Sequence, residues 1–127
     1  MSRLILALSL ALAPLSAAAQ QASSAVIEAV SAVGNCLATG LPPQWKRLQV
    51  VITLSQPMAD TGGVLYLVTL PDDRVQPFPP CDPRLPPVKL IDLREHQPEK
   101  ERGWIKSTLT MQPDASFDLK YEYPAKR

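Results

Sequence analysis

The feature that most constrains this chain is a cluster of prolines near its middle. Seven of the 14 prolines lie within the 17 residues from Pro71 to Pro87. Proline fixes the backbone angle φ and has no N–H, so it disrupts helix interiors and central strands. This density predicts a stiffened loop in which neither a helix nor an interior strand forms. Such a loop either presents a preorganised surface to a partner, at a low entropy cost of binding, or is only a shortened connection.

The first residues have the layout of a secretory signal peptide. Arg3 precedes a mostly apolar run of about twelve residues, and small residues then lead to Ala19 and the polar Gln20. A membrane-spanning helix needs roughly 20 apolar residues, which is more than this run offers. We therefore expect residues 1–19 to be a cleaved signal peptide and residues 20–127 to be a single mature domain. That domain would reside in the periplasm without inserting in the membrane.

Export changes the interpretation of the two cysteines, Cys36 and Cys81. An oxidising compartment favours their pairing. The bond would close a loop of about 46 residues and contribute about 4 kcal/mol in the chain-entropy model. This is comparable to much of the net stability of a small domain. The alternative is a reactive thiol, which would need a nearby histidine, and the chain has only His96. We expect the disulfide.

The charge balance excludes whole classes of partner. The sequence has 13 Lys and Arg against 12 Asp and Glu, and Arg3 is the only charged residue of the leader. The mature chain therefore has no net charge and no broad field to attract nucleic acid or anionic lipid. Its length of about 108 residues suits one modest domain and is too small for a two-domain cleft enzyme.

Hydrophobic periodicity predicts an N-terminal helix followed by a pair of strands. Residues 22–39 have an apolar stripe at helical spacing, made of Val26, Val30, Val33 and Leu37. One of the two serines at its start can act as the N-cap, and Gly40 ends it. The β-branched runs 48–54 and 64–70 flank a polar turn with two glycines, which predicts an antiparallel pair.

The last part of the sequence predicts a C-terminal hairpin. Apolar and polar residues alternate on both sides of the turn at 113–116, so one face meets the core and the other faces water. Residues 88–96 fit either a short helix or an edge strand, and Pro98 ends both. Together these elements predict an α+β fold, with the N-terminal helix packed on an antiparallel sheet of about four strands.

Residue patterns typical of catalysis or cofactor binding are nearly absent from the sequence. His96 and the two distant cysteines lack the spacing of a zinc site. The sequence contains neither a Gly-x-Ser-x-Gly elbow nor a phosphate-binding glycine-rich loop. Trp45 and Trp104 are interpreted as core residues because no basic stripe surrounds them. We expect no enzyme activity, no metal and no cofactor.

Three short segments of the sequence carry motifs of one known family. Residues 41–48 contain a Pro-x-x-Trp motif before the first predicted strand. Trp104 is a second tryptophan and precedes a Thr-Leu-rich strand at 107–111. Residues 117–123 form a closing strand of aromatic and acidic residues. In these motifs the chain resembles the YezG-like family of immunity proteins. The resemblance covers roughly residues 32–124 and rests on core-type residues, which transmit a fold better than a function.

The resemblance implies a small protein that binds a cognate toxin and blocks it by occlusion. This chain departs from the family in its leader, in a shorter helical stretch before Trp104, and in its Pro-rich loop with a cysteine pair. It also has Asp114-Ala115 where the family has an Asp-Gly turn. Since an exported protein cannot meet a toxin that acts on cytosolic nucleic acid, we expect an antibacterial effector that acts on the cell wall or membrane.

The polar positions of the Pro-rich loop are the candidates for contact with this partner: Asp72, Asp73, Arg74 and Asp82. Two other functions stay open from the sequence. One is an envelope-associated binding or assembly module without a toxin partner. The other is a small periplasmic hydrolase that uses His96.

Overall fold

Residues 23–125, which the computed structural model describes, form two α-helices and one five-stranded antiparallel sheet. In chain order the elements are α1 Ser24–Ala38, β1 Arg47–Leu54, β2 Gly62–Thr69, β3 Val75–Pro77, α2 Leu85–Asp92, β4 Lys106–Met111 and β5 Phe117–Glu122. Short 3-10 helices at Leu93–His96 and Glu99–Glu101 join α2 to β4. The α+β prediction is confirmed, with one strand more than expected. The expected signal peptide lies outside the described residues.

Helix α1 has the N-cap and the buried stripe that the sequence predicts. The hydroxyl of Ser23 accepts a hydrogen bond from the backbone N–H of Val26, at 3.3 Å. This bond satisfies one of the amide groups that every helix start leaves free. The buried face consists of Ala29, Val30, Val33, Cys36 and Leu37. At the C-terminal end, the hydroxyl of Thr39 donates to the carbonyl of Cys36 at 3.0 Å.

Strand β1 is the centre of the sheet, whose order is β3-β2-β1-β4-β5. Its residues alternate in burial, and Leu48, Val50, Ile52 and Leu54 face the helices. Val50 lies between Tyr66 of β2 and Leu109 of β4, so all three belong to the same face. Both helices contribute to one hydrophobic core on this face. Each fully buried aliphatic side chain there contributes about 1.5–3 kcal/mol. The opposite face is uncovered, as the 58% exposure of Leu65 shows.

The predicted C-terminal hairpin is present. Ser107, Leu109 and Met111 of β4 are buried, whereas apolar and charged side chains alternate along β5 from Phe117 to Glu122. The carboxylate of Asp114 accepts from the backbone N–H of Ser116 at 2.9 Å. Ala115 has a φ of 73°, the left-handed region that costs a residue with a Cβ about 1–2 kcal/mol.

The Pro-rich segment contains more regular structure than its prolines predict. Residues Val75–Pro77 form the edge strand β3, and α2 starts at Leu85, inside the segment. The prediction that no helix forms there was wrong, since Pro86 and Pro87 occupy its first turn. The first amide groups of a helix have no partner within it, so proline loses no hydrogen bond at these positions. The ambiguous stretch 88–96 is therefore helical.

The predicted disulfide between Cys36 and Cys81 is present, with 4.9 Å between the two Cα atoms. The backbone N–H of Cys81 also donates to the carbonyl of Cys36, at 3.0 Å. The sulfur of Cys36 is buried under α1, whereas Cys81 is exposed. The bond thus fastens the middle of the Pro-rich segment to the C-terminal turn of α1.

We expect loss of the disulfide to lower the free energy of unfolding by about 4 kcal/mol, because the unfolded chain gains the freedom of the opened loop. Urea denaturation with and without reductant measures this difference. A Cys36→Ala, Cys81→Ala double variant provides the matched control without reductant. Intact mass should rise by two hydrogen atoms on reduction. An unchanged mass and an unchanged denaturation midpoint would contradict the role assigned to the bond.

Candidate functional site

Three of the four predicted partner-binding residues lie together in the turn between β2 and β3. One carboxylate oxygen of Asp72 accepts from the backbone N–H of Arg74 at 3.1 Å, and the other accepts from its Nε at 2.7 Å. Both hydrogen bonds lower the pKa of Asp72 below its ordinary value, and the bond from the backbone N–H has the larger effect. The pair remains on the surface, where it orients the two side chains more than it stabilises the fold.

Asp73 completes this turn, with a φ of 71° that aspartate tolerates better than most residues. Its backbone N–H donates to the carbonyl of Leu70 at 2.8 Å, and the N–H of Leu70 donates to the carbonyl of Arg74 at 2.8 Å. Its carboxylate accepts from Lys46, although 73% of the Asp73 side chain is still exposed. The turn therefore holds three charged side chains in defined positions that a partner can reach.

The fourth predicted residue, Asp82, lies elsewhere, beside the disulfide. Its backbone N–H is 3.3 Å from the sulfur of Cys36, and its carboxylate accepts from the backbone N–H of Arg84 at 2.9 Å. Tyr66 donates its hydroxyl to the carbonyl of Pro83 at 2.9 Å. Burial is the main cause that raises the pKa of Tyr66 above its ordinary value, and the negative charge of Asp82 raises it further. Within residues 23–125 no hydrogen bond or ion pair joins Asp82 to the turn, so the predicted set forms two separate clusters.

The chain between these two clusters is held down by Phe78 and by a close backbone approach. The ring of Phe78 is buried and meets Tyr66 edge to face at 6.4 Å, and its N–H donates to the Tyr66 carbonyl at 3.1 Å. At the next residue, the carbonyl of Pro79 lies against Gly40, where a Cβ would come within 1.8 Å of that oxygen. Only glycine permits this contact between the end of α1 and the Pro-rich segment.

We expect Gly40→Ala to destabilise the fold by about 1–3 kcal/mol, since the added methyl group must displace backbone atoms. Gly63→Ala is the matched control, because a Cβ there would meet no atom within 4 Å. We expect that substitution to be neutral or slightly stabilising, because alanine loses less entropy than glycine in a strand. Thermal denaturation of both variants measures the effect, and equal midpoints would contradict the close approach.

Arg94 is a structurally important residue that the sequence reasoning missed. Its side chain is only 9% exposed, and its guanidinium donates to the Ala59 carbonyl at 2.8 Å and to the Asp60 carboxylate at 3.2 Å. It also lies over the ring of Trp104, 5.9 Å from the centroid. The sequence contains a signal for its burial, because Arg94 follows Leu90 and Ile91 at helical spacing and therefore lies on the same buried face.

The guanidinium of Arg94 borders a cleft of about 300 Å³ with charged side chains of both signs on its walls. Met58 and Ile91 supply part of its apolar surface, and Asp60 and Arg102 supply part of its charge. The cleft is small, and the two hydrogen bonds that Arg94 donates go to groups of the fold itself, the Ala59 carbonyl and the Asp60 carboxylate. We therefore interpret Arg94 as the residue that attaches the β1–β2 loop to the helical layer.

We expect Arg94→Met to lower the free energy of unfolding by about 1–3 kcal/mol, because the Ala59 carbonyl loses a charged donor. Asp60→Asn should change it by less than about 0.5 kcal/mol, since the Asp60 side chain is 94% exposed. Chemical denaturation of both variants gives the comparison. An effect at Asp60 as large as that at Arg94 would show that the ion pair, rather than the carbonyl contact, fixes the loop.

An apolar groove of about 410 Å³ lies between α1 and the C-terminal hairpin, with Ile27, Trp45 and Phe117 among its lining residues. Trp45 is partly buried there, whereas Trp104 is fully buried as predicted and donates its indole N–H to Gln97 at 3.1 Å. His96 is exposed at the end of the helical layer.

Residues 23–125 contain no group of three or more His, Cys, Asp or Glu residues that could hold a metal ion. In the same part of the chain, no helix has the length and apolar character needed to cross a membrane. The fold and the exposed clusters define the class of this molecule as a small, disulfide-bonded α+β domain with a one-sided sheet. No model of a known protein family matches the chain, and no curated protein matches it significantly.

Proposed function

We propose that this chain is an exported immunity protein of the YezG-like type, which binds a cognate antibacterial toxin in the periplasm and blocks it by occlusion. The observation that carries the proposal is the way the Pro-rich segment is fixed to the body of the domain. The disulfide, the buried ring of Phe78 and the close approach at Gly40 hold it from one side. The charged residues of the Pro-rich segment remain exposed on the opposite side.

Preorganisation of this kind favours tight binding to a protein partner. Ordering a long side chain at an interface costs about 0.5–1.5 kcal/mol, and the two bonds within the Asp72–Arg74 pair remove part of that cost in advance. Both signs of charge are present in the turn, which suits a complementary protein surface better than a uniform polyanion. A rigid projection with such side chains can cover the active cleft of an enzyme.

The disulfide supports the assignment to the cell envelope. Disulfides persist in oxidising compartments such as the periplasm and are rare in the reducing cytosol. The Cys36–Cys81 bond agrees with the leader at residues 1–19 in pointing to an exported protein. A toxin met in that compartment acts on the cell wall or the membrane, which is why we propose those targets.

The test is to express the product of the adjacent reading frame in the periplasm, with and without this protein. We expect growth arrest by the product alone and protection by the wild-type chain. The double charge reversal Asp72→Lys, Arg74→Asp should weaken protection, because it breaks complementarity at the exposed turn. Glu28→Lys, a charge reversal on the exposed side of α1, is the control for a change away from the turn and should protect fully. A harmless product would contradict the proposal and favour a binding module without a toxin.

A further inference from the structure

The two edges of the sheet are built differently. At one edge β3 is only Val75–Pro77 and contains a proline, so it offers little backbone for pairing with another chain. At the other edge β5 runs from Phe117 to Glu122 without a proline or glycine. Beyond β4, no strand in residues 23–125 pairs with it. An unpaired strand of this length is a template for pairing with a second strand.

The backbone groups that face outward on β5 follow from the bonds that face inward. The carbonyl of Ser116 accepts from Gln112 at 3.0 Å, and the carbonyl of Glu122 accepts from Ile105 at 2.8 Å. Both carbonyls thus point toward β4. Because direction alternates along a strand, the N–H and C=O groups of Phe117, Leu119 and Tyr121 point to the free edge.

The charged side chains of β5 also differ in whether they have an ion-pair partner. Glu122 forms an ion pair with Lys106 on the neighbouring strand, at 3.8 Å. Asp118 and Lys120 are exposed, and neither has an ion-pair partner within residues 23–125. The strand therefore presents one acidic and one basic side chain, two positions apart on the same face, at an edge that lacks a backbone partner.

We propose that a second copy of this chain pairs with the free edge of β5 in antiparallel orientation, with the two-fold axis at Leu119. Asp118 of each copy then lies opposite Lys120 of the other, so both charge pairs are formed by symmetry. Phe117 lies opposite Tyr121 on the helix-facing side, where both rings are only partly buried in one copy. About six backbone hydrogen bonds join the strands, two at each of the hydrogen-bonded residue pairs Phe117–Tyr121, Leu119–Leu119 and Tyr121–Phe117.

The neighbouring registers fit less well. An axis at Lys120 would place Lys120 opposite its own symmetry mate and Asp118 opposite Glu122, so like charges would repel. An axis at Tyr121 would pair Lys120 with Glu122, which already bonds Lys106, and would extend beyond the end of β5. Changing the pairing by one residue, so that Leu119 lay opposite Lys120, would put the apolar side chains of one copy on the side of the sheet that faces water in the other. Charge complementarity therefore selects the register centred on Leu119.

The oligomeric state of the full chain, purified after expression, tests this proposal. Sedimentation or light scattering at about 1–100 µM should show a dimer for the wild type. Asp118→Lys and Lys120→Asp should each raise the dimer dissociation constant at least about tenfold, because each creates two repulsive pairs. Glu28→Lys changes the net charge as Asp118→Lys does, but lies on α1, and should leave the dimer intact.

Two rescue measurements distinguish this register from a general effect of charge or from misfolding. The double exchange Asp118→Lys, Lys120→Asp restores both pairs and should restore the dimer. A mixture of the two single variants should form a heterodimer, since one chain then supplies two lysines and the other two aspartates. A monomeric wild type, a dimer that persists in both single variants, or failure of both rescues would overturn the proposal.

Discussion

The covalent link between Cys36 and Cys81 is the constraint on which the arrangement of this domain depends. Between β2 and α2 the chain has a single buried apolar side chain, that of Phe78, so hydrophobic burial alone fixes this stretch weakly. The disulfide and the adjacent backbone bond hold its middle against α1. Helix α2 begins four residues after Cys81, at Leu85, and supplies Leu90 and Ile91 to the core. The bond is compatible with an exported protein, because disulfides persist in oxidising compartments and are rare in the cytosol.

The elements that could be predicted from the sequence are those with one buried face. The alternation along β4 and the apolar stripe of α1 predict which side chains are buried, and the structure agrees with both patterns. Prediction failed at Pro86 and Pro87, where a composition rule for helix interiors was applied to a helix start. Arg94 was missed because a basic residue suggests a surface, although its spacing from Leu90 and Ile91 places it on the buried side.

The candidate site shows a different limit of sequence reasoning. Asp72, Asp73 and Arg74 are adjacent in sequence and meet in one turn, so their grouping followed from the chain itself. Asp82 was grouped with them only because it belongs to the same Pro-rich segment. The intervening strand β3 and the buried Phe78 carry the chain away from the turn, and the disulfide then fixes Asp82 beside α1. Long-range contacts of this kind leave no periodic trace in the sequence.

The two proposed interfaces are compatible because they occupy opposite edges of the sheet. The turn that carries Asp72 joins β2 to the edge strand β3, whereas the dimer contact lies along β5. These edges are separated by four strand spacings, or about 19 Å. Pairing of two β5 strands extends the sheet and leaves one Pro-rich segment at each distant end. In such a dimer the proposed partner surface would therefore occur twice, once at each distant end of the extended sheet.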